Sequence, residues 1–229
     1  EAKWRIALVH KNIFSGSGHQ EDEETPLFRA TMLPIMKECE IDVMLQGHDH
    51  CYEVIGPVNP DTRTPILEDI ADLEKSALST SKHKGGTFTV NNGTLYFIGA
   101  TCGTKRYNPN SKTTMEADYN KHKVENYYDL FTGMFCQPGT PSYSTFTVDG
   151  NTITVNSYKV FAGSKSELFN TFRIKRTKEH GNQTSLGQII KDRGAAKIIY
   201  NGNMYILRED IAYNALGQVV AEEDILSKL

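Results

Sequence analysis

The sequence predicts an α/β domain followed by a small β appendage, and three observations carry that expectation. The apolar run Arg5-Ile6-Ala7-Leu8-Val9, a helical spacing beginning at Thr25 and a second apolar run, Ile41-Asp42-Val43-Met44-Leu45, give the strand, helix, strand order of an α/β unit. Each apolar run ends in a loop that carries histidine, the usual place for a site at strand ends. Further along, Thr- and Val-rich stretches alternate with turn residues, and 11 Tyr, 10 Phe and 18 Gly suit a strand-heavy chain with some helix.

Taken in order, residues 5–9 read as a buried strand that delivers His10 to its carboxyl end. Ser15-Gly16-Ser17-Gly18-His19 is a loop. Thr25 and Pro26 supply an N-cap and a first-turn proline, and Leu27, Ala30, Leu33 and Met36 carry the helix to about Cys39. The apolar spacing continues past Pro34, so that proline kinks the helix without ending it. Residues 41–45 form the second strand, which stops at Gln46-Gly47-His48-Asp49-His50. Residues 66–78 have helical spacing through Ile66, Ile70, Leu73 and Ala77.

Strands are expected again at 87–90 and 94–98, around the turn Asn92-Gly93, and at 144–148 and 152–155, joined by Asp149-Gly150-Asn151 as the clearest hairpin. Another strand covers 168–174. Residues 175–193 are polar and charged and read as a linker. A separate hairpin signal spans 197–207 around Asn201-Gly202.

With 25 Lys+Arg against 28 Asp+Glu the net charge is −3, so no broad basic surface for nucleic acid is expected. The four cysteines, Cys39, Cys51, Cys102 and Cys136, lack zinc-finger spacing and allow either two disulfides or four thiols; Cys39, among apolar helix residues, reads as a buried thiol. Glu1-Ala2-Lys3-Trp4 has no basic-then-apolar leader pattern, and no run of about 18 apolar residues suggests a membrane-spanning helix.

Chemistry concentrates in the histidines. His48 and His50, at i and i+2 in an extended loop, can converge on one site or on two neighbouring metal ions, and Gly47 allows close backbone approach. His10 ends the strand expected beside them. Neutral imidazoles at strand ends suit a hydrolytic centre of Zn, Mn or Fe. A lone G-H-x-H string is more often an ordinary loop, but His10 and the strand-helix-strand context weigh against that here.

Val9-His10 after a strand, the proline-containing helix, and Val43-Met44-Leu45-Gln46-Gly47-His48-Asp49-His50-Cys51-Tyr52-Glu53 together resemble the carboxyl-terminal half of the calcineurin-like metallophosphoesterases, in the branch of the purple acid phosphatases. The resemblance continues through Asn92 to Ala100 and Thr140 to Asn151, and covers residues 1–176; residues 177–229 are a linker and a small β-hairpin tail. It implies part of a four-layer αββα sandwich, two transition metal ions (Fe, Zn or Mn), and hydrolysis of a phosphate ester by a metal-activated hydroxide. By the same resemblance His10 and His48 match ligands of one metal and His50 a ligand of the other. His19 lies near the histidine that binds phosphate or protonates the leaving group. Tyr52 packs beside the ligands, and Lys105 and Arg106 are candidate cations for the substrate phosphate. His83, His122 and His180 receive no role.

The family's amino-terminal motifs, Asp-x-His, Gly-Asp-x-x-Asp or Gly-Asp-x-x-Tyr, and Gly-Asn-His, do not occur in the 229 residues. The expectation is therefore that an absent amino-terminal half supplies the anionic ligands and covers strand edges that this chain leaves open. A phosphodiesterase or nucleotidase of the same superfamily, or a non-catalytic secreted binding module, are the alternatives. The tail, with Asn201 to Arg208 and Tyr213 to Gln218, resembles carboxyl-terminal β segments of secreted Bacteroidetes-type proteins, which implies a secreted or periplasmic, bacterial protein.

Overall fold

The structure, a computed structural model, describes residues 3–78, 81–116, 127–180, 195–200, 203–208, 211–214 and 219–220. It divides into two units, Glu1–Glu179 and His180–Leu229. His122 and most of the expected linker lie outside the described residues.

In the first unit, β1 (Ile6–Leu8), α1 (Thr25–Glu38) and β2 (Val43–Gln46) realise the strand-helix-strand order. They are followed by β3 (Tyr52–Val58), β4 (Ile70–Lys75), β5 (His83–Thr89), β6 (Thr94–Gly99), β7 (Phe135–Cys136), β8 (Ser142–Asp149), β9 (Thr152–Phe161) and β10 (Lys165–Lys175). Ten strands make two five-stranded mixed sheets, ordered β1-β2-β6-β3-β7 and β4-β5-β10-β9-β8. In the first, β1, β2 and β6 are parallel, so the chain leaves β1 and β2 at the same end, where both histidine loops begin.

Period-two alternation builds the layers. Met44 and Tyr96 point to one face and pack with Leu33 and Met36 of α1, Phe14 and Phe131. Val43, Leu95 and Phe97 point to the other and meet Phe88, Val155, Phe172 and Ile174 of the second sheet. α1 and the two sheets thus stack as three layers. α1 runs past Pro34 as expected. Its N-cap is Glu24 and not Thr25, whose hydroxyl donates instead to the His19 carbonyl at 3.1 Å. The 144–155 hairpin appears as β8 and β9, in continuous antiparallel register.

The helix expected over 66–78 is a correction: a 3-10 turn, Leu67–Asp69, leads into strand β4. Asp72 and Gly86 lie between register pairs Ala71↔Thr87 and Leu73↔Gly85, and both have positive φ, 57° and 99°. This paired kink lets Ile70 and Leu73 pack on the same inter-sheet core. Apolar residues three apart on one face imitate helical spacing. All four cysteines are free thiols; Cys51 and Cys136 are buried, Cys102 is exposed, and Cys39 is half-buried, not fully buried.

Among the described strands of this unit β1 and β7 are the edges of the first sheet and β4 and β8 those of the second. Ile6 and Leu8 pair with Val43 and Leu45 and so face the inter-sheet side, yet they are 45% and 82% exposed. On β8, Phe146 meets Phe97 of the first sheet, but Phe146 and Val148 remain 37% and 57% exposed. The inter-sheet core is uncovered along this side. In the second unit β11 (Ala195–Tyr200), β12 (Asn203–Arg208), β13 (Ile211–Asn214) and β14 (Val219–Val220) form an antiparallel meander whose first hairpin is the one read at 197–207.

Candidate metal centre

The site grows from the parallel pairing of β1 and β2. The ladder continues beyond the strands, with Val9 N–H donating to the Leu45 carbonyl and Gly47 N–H to the His10 carbonyl, both at 3.0 Å. This fixes His10 beside His48. A Cβ on Gly47 would sit 3.3 Å from the His10 carbonyl oxygen and 3.5 Å from its Nδ1, so glycine sets how closely the two loops approach. His48 itself has φ of 70°, a sparsely populated conformation that non-glycine residues keep mainly where surroundings enforce it.

Four side chains converge. His48 Nδ1 lies 3.3 Å from His10 Nε2. The rings of His19 and His48 have centroids 3.8 Å apart. Asp22 Oδ2 stands 3.0 Å from His19 Nδ1 and 3.7 Å from His48 Nε2. His19, Asp22 and His48 present ligand atoms within 4.8 Å of one another, a grouping that could hold a metal ion. Burial, then the nearby His19 and His10, holds His48 below the usual imidazole range, with Asp22 and Asp49 opposing. A neutral imidazole is the form that ligates.

His50 stands apart from this group. Its Nδ1–H donates to the Lys105 carbonyl at 3.0 Å, and its ring stacks on Tyr107 with centroids 4.9 Å apart. Such a bond leaves Nε2 with the lone pair, as metal-ligating histidines are commonly held. Tyr107 also reaches His19, its hydroxyl 3.4 Å from Nε2. Gln137 Nε2 donates to the carbonyls of His50 and Tyr107 at 2.8 and 2.6 Å, pinning both. Lys105 is exposed, with Nζ 5.1 Å from the Tyr107 ring centroid, and Arg106 is exposed on the same loop.

Imidazole nitrogens with one carboxylate suit Zn, Mn or Fe, so the donor set fits the expected metals. Asp22, Tyr107 and Gln137 are the members that sequence reasoning missed. Tyr52, read as a packing residue, is fully buried; its hydroxyl bonds with Ser157 at 2.8 Å and accepts from Asn170 at 3.1 Å.

No family model matches the chain. It is 38% identical over 58 residues to purple acid phosphatase 3 of Arabidopsis thaliana, which is 25% of this chain and 15% of that protein. Purple acid phosphatase 4 of the same plant is 36% identical over 55 residues, and an uncharacterized Mycobacterium tuberculosis protein 26% over 104. The matches thus span a fifth or less of these relatives. Among solved structures, purple acid phosphatase PPD1 from yellow lupin (Lupinus luteus) seeds aligns with 76% of this chain and 25% of its own, at a TM-score of 0.40 and 16% identity. Over about a quarter of its length, then, the chain is similar in sequence to part of these two plant purple acid phosphatases.

Proposed function

We propose that this chain supplies the histidine side of a dinuclear metal centre that hydrolyses a phosphate ester. The observation that carries the reading is the convergence of His10, His19, His48 and Asp22 where β1 and β2 end, with His50 oriented by Lys105 nearby. His10 and His48 would hold one ion and His50 the other. Bound metals supply Lewis acidity and an activated water.

The chain's own residues do the rest. His19 donates Nδ1–H to Asp22, and the proton on its Nε2 passes to the leaving alkoxide. Lys105 and Arg106 attract the phosphate from an exposed loop. Monoesters are the preferred substrates, and the protein acts outside the cytoplasm.

Anionic ligands from a further polypeptide segment complete the centre. The one-sided pairing of β1 and β8 and the uncovered Ile6, Leu8, Phe146 and Val148 support such a segment, because sheet edges and apolar faces of this kind are normally covered. The test is p-nitrophenyl phosphate hydrolysis together with metal content in the whole natural protein and its His48→Ala and His50→Ala variants. Joint loss of metal and turnover is expected; full activity in either variant would refute the assignment.

A further inference from the structure

The motif Gln46 to Glu53 contains residues that point away from the histidine cluster. Asp49 and Glu53 are both fully buried, and neither is ion-paired with a lysine or arginine among the described residues. Among the described residues their hydrogen bonds run to one segment, residues 12–19, or to the motif itself. Asp49 Oδ1 accepts the His19 backbone N–H at 3.3 Å, and Oδ2 accepts Asn12 Nδ2 at 3.0 Å and the Ser15 hydroxyl. Glu53 Oε1 accepts the Gly16 N–H and approaches Ser15 Oγ, both at 3.1 Å, and accepts from Cys51 Sγ at 2.7 Å. Gln46 continues the pattern: its Oε1 accepts from Ile13 N–H at 2.9 Å and its Nε2 donates to the Phe14 carbonyl at 2.7 Å.

The segment has little room elsewhere. A Cβ on Gly16 would fall 2.3 Å from Phe135 Cζ, so its backbone lies flush on that ring while its N–H reaches Glu53. Asn110 N–H donates to the Gly16 carbonyl at 2.7 Å, and Arg29 Nε to the Ile13 carbonyl at 2.5 Å. The exit from this clamped segment is His19.

We propose that Glu53, acting with Asp49 through Ser15 and Gly16, is a positioning residue that sets His19 against His48. Its catalytic consequence rests on the phosphate-ester reading; the clamp itself does not. Glu53 touches no histidine ring, so it acts only through the segment. Among the described residues its Oε2 has no hydrogen-bond partner, so Gln keeps the working Oε1 acceptor and Ala removes it.

The experiment combines amide hydrogen exchange with hydrolysis of phosphate monoesters of graded leaving-group pKa, in the whole protein. In Glu53→Ala the Gly16 and His19 amides are expected to exchange about tenfold faster or more, while the β3 amides of Val54 and Ile55 keep their protection. Turnover of alkyl phosphates falls by about 10²-fold with KM nearly unchanged, as for a displaced catalytic group, and activated aryl phosphates are spared. Glu53→Gln restores both readouts. If Glu53→Ala does not fold, Ser15→Ala gives the same pattern. Unchanged Gly16 exchange, or equal loss in Gln and Ala variants, would overturn the proposal. Faster exchange with no leaving-group dependence would uphold the clamp and remove His19 as the acid.

Discussion

The imidazole of His19 lies across that of His48, their planes inclined by 35°, and the carboxylate of Asp22 reaches both rings. Burial and the neighbouring His19 and His10 favour a neutral His48, while Asp22 accepts a hydrogen bond from His19 Nδ1. In the proposed reaction the His48 ring ligates and the His19 ring gives up a proton.

Removing the carboxylate tests that division. Asp22→Asn is expected to lower turnover of alkyl phosphates by about 10²-fold, in the range of a general acid's contribution, and to affect aryl phosphates little. Steady-state kinetics across a leaving-group series gives the answer; a uniform loss would mean that Asp22 serves the metal and not the proton.

Glu53 makes stability depend on pH. Burial first, and the charge of Asp49 second, push its carboxyl up to about 8 from the ordinary 4.5. Between those values the folded state holds a proton that the unfolded chain releases, so stability falls as pH rises from about 4.5 through 8. Thermal unfolding of metal-stripped protein from pH 5 to 9 is expected to show a declining Tm that Glu53→Gln flattens. Equal slopes in the two proteins would contradict the assignment.

Arg176 joins the end of β10 to Asp42 at the start of β2, with Nη1 2.5 Å from Oδ1 and both side chains buried. The other Asp42 oxygen accepts the Arg5 N–H at 2.8 Å. Arg176→Met removes the buried guanidinium that bonds Asp42 Oδ1 and is expected to cost about 3–5 kcal/mol in urea unfolding. Adding Asp42→Asn should recover much of it. The exposed pair Lys37 and Asp61, at 2.7 Å, is expected to contribute less than about 1 kcal/mol.

The parts of this fold written in local patterns were legible in the sequence. β1, α1 and β2 follow from apolar spacing, the β8–β9 hairpin from Asp149-Gly150-Asn151, and His10, His48 and His50 from their place at strand ends. Asp22 sits in the run Glu21-Asp22-Glu23-Glu24, which reads as solvated charge until the 3-10 turn at Gly18–Glu21 folds it against His19. Tyr107 comes from far along the chain, and no spacing announces it. Glu53 was visible in the motif, but its role depends on β3 burying it beneath residues 12–19. β4 misled because the kink at Asp72 and Gly86 gave a strand the periodicity of a helix.

The metal content of the whole natural protein tests the central claim most directly. Purified protein and its His48→Ala and His50→Ala variants would be measured for Fe, Zn and Mn by elemental analysis. Two equivalents of transition metal in the parent protein and a loss in each variant are expected. A parent protein that binds no transition metal, or a His48→Ala variant that keeps the full complement, would contradict it.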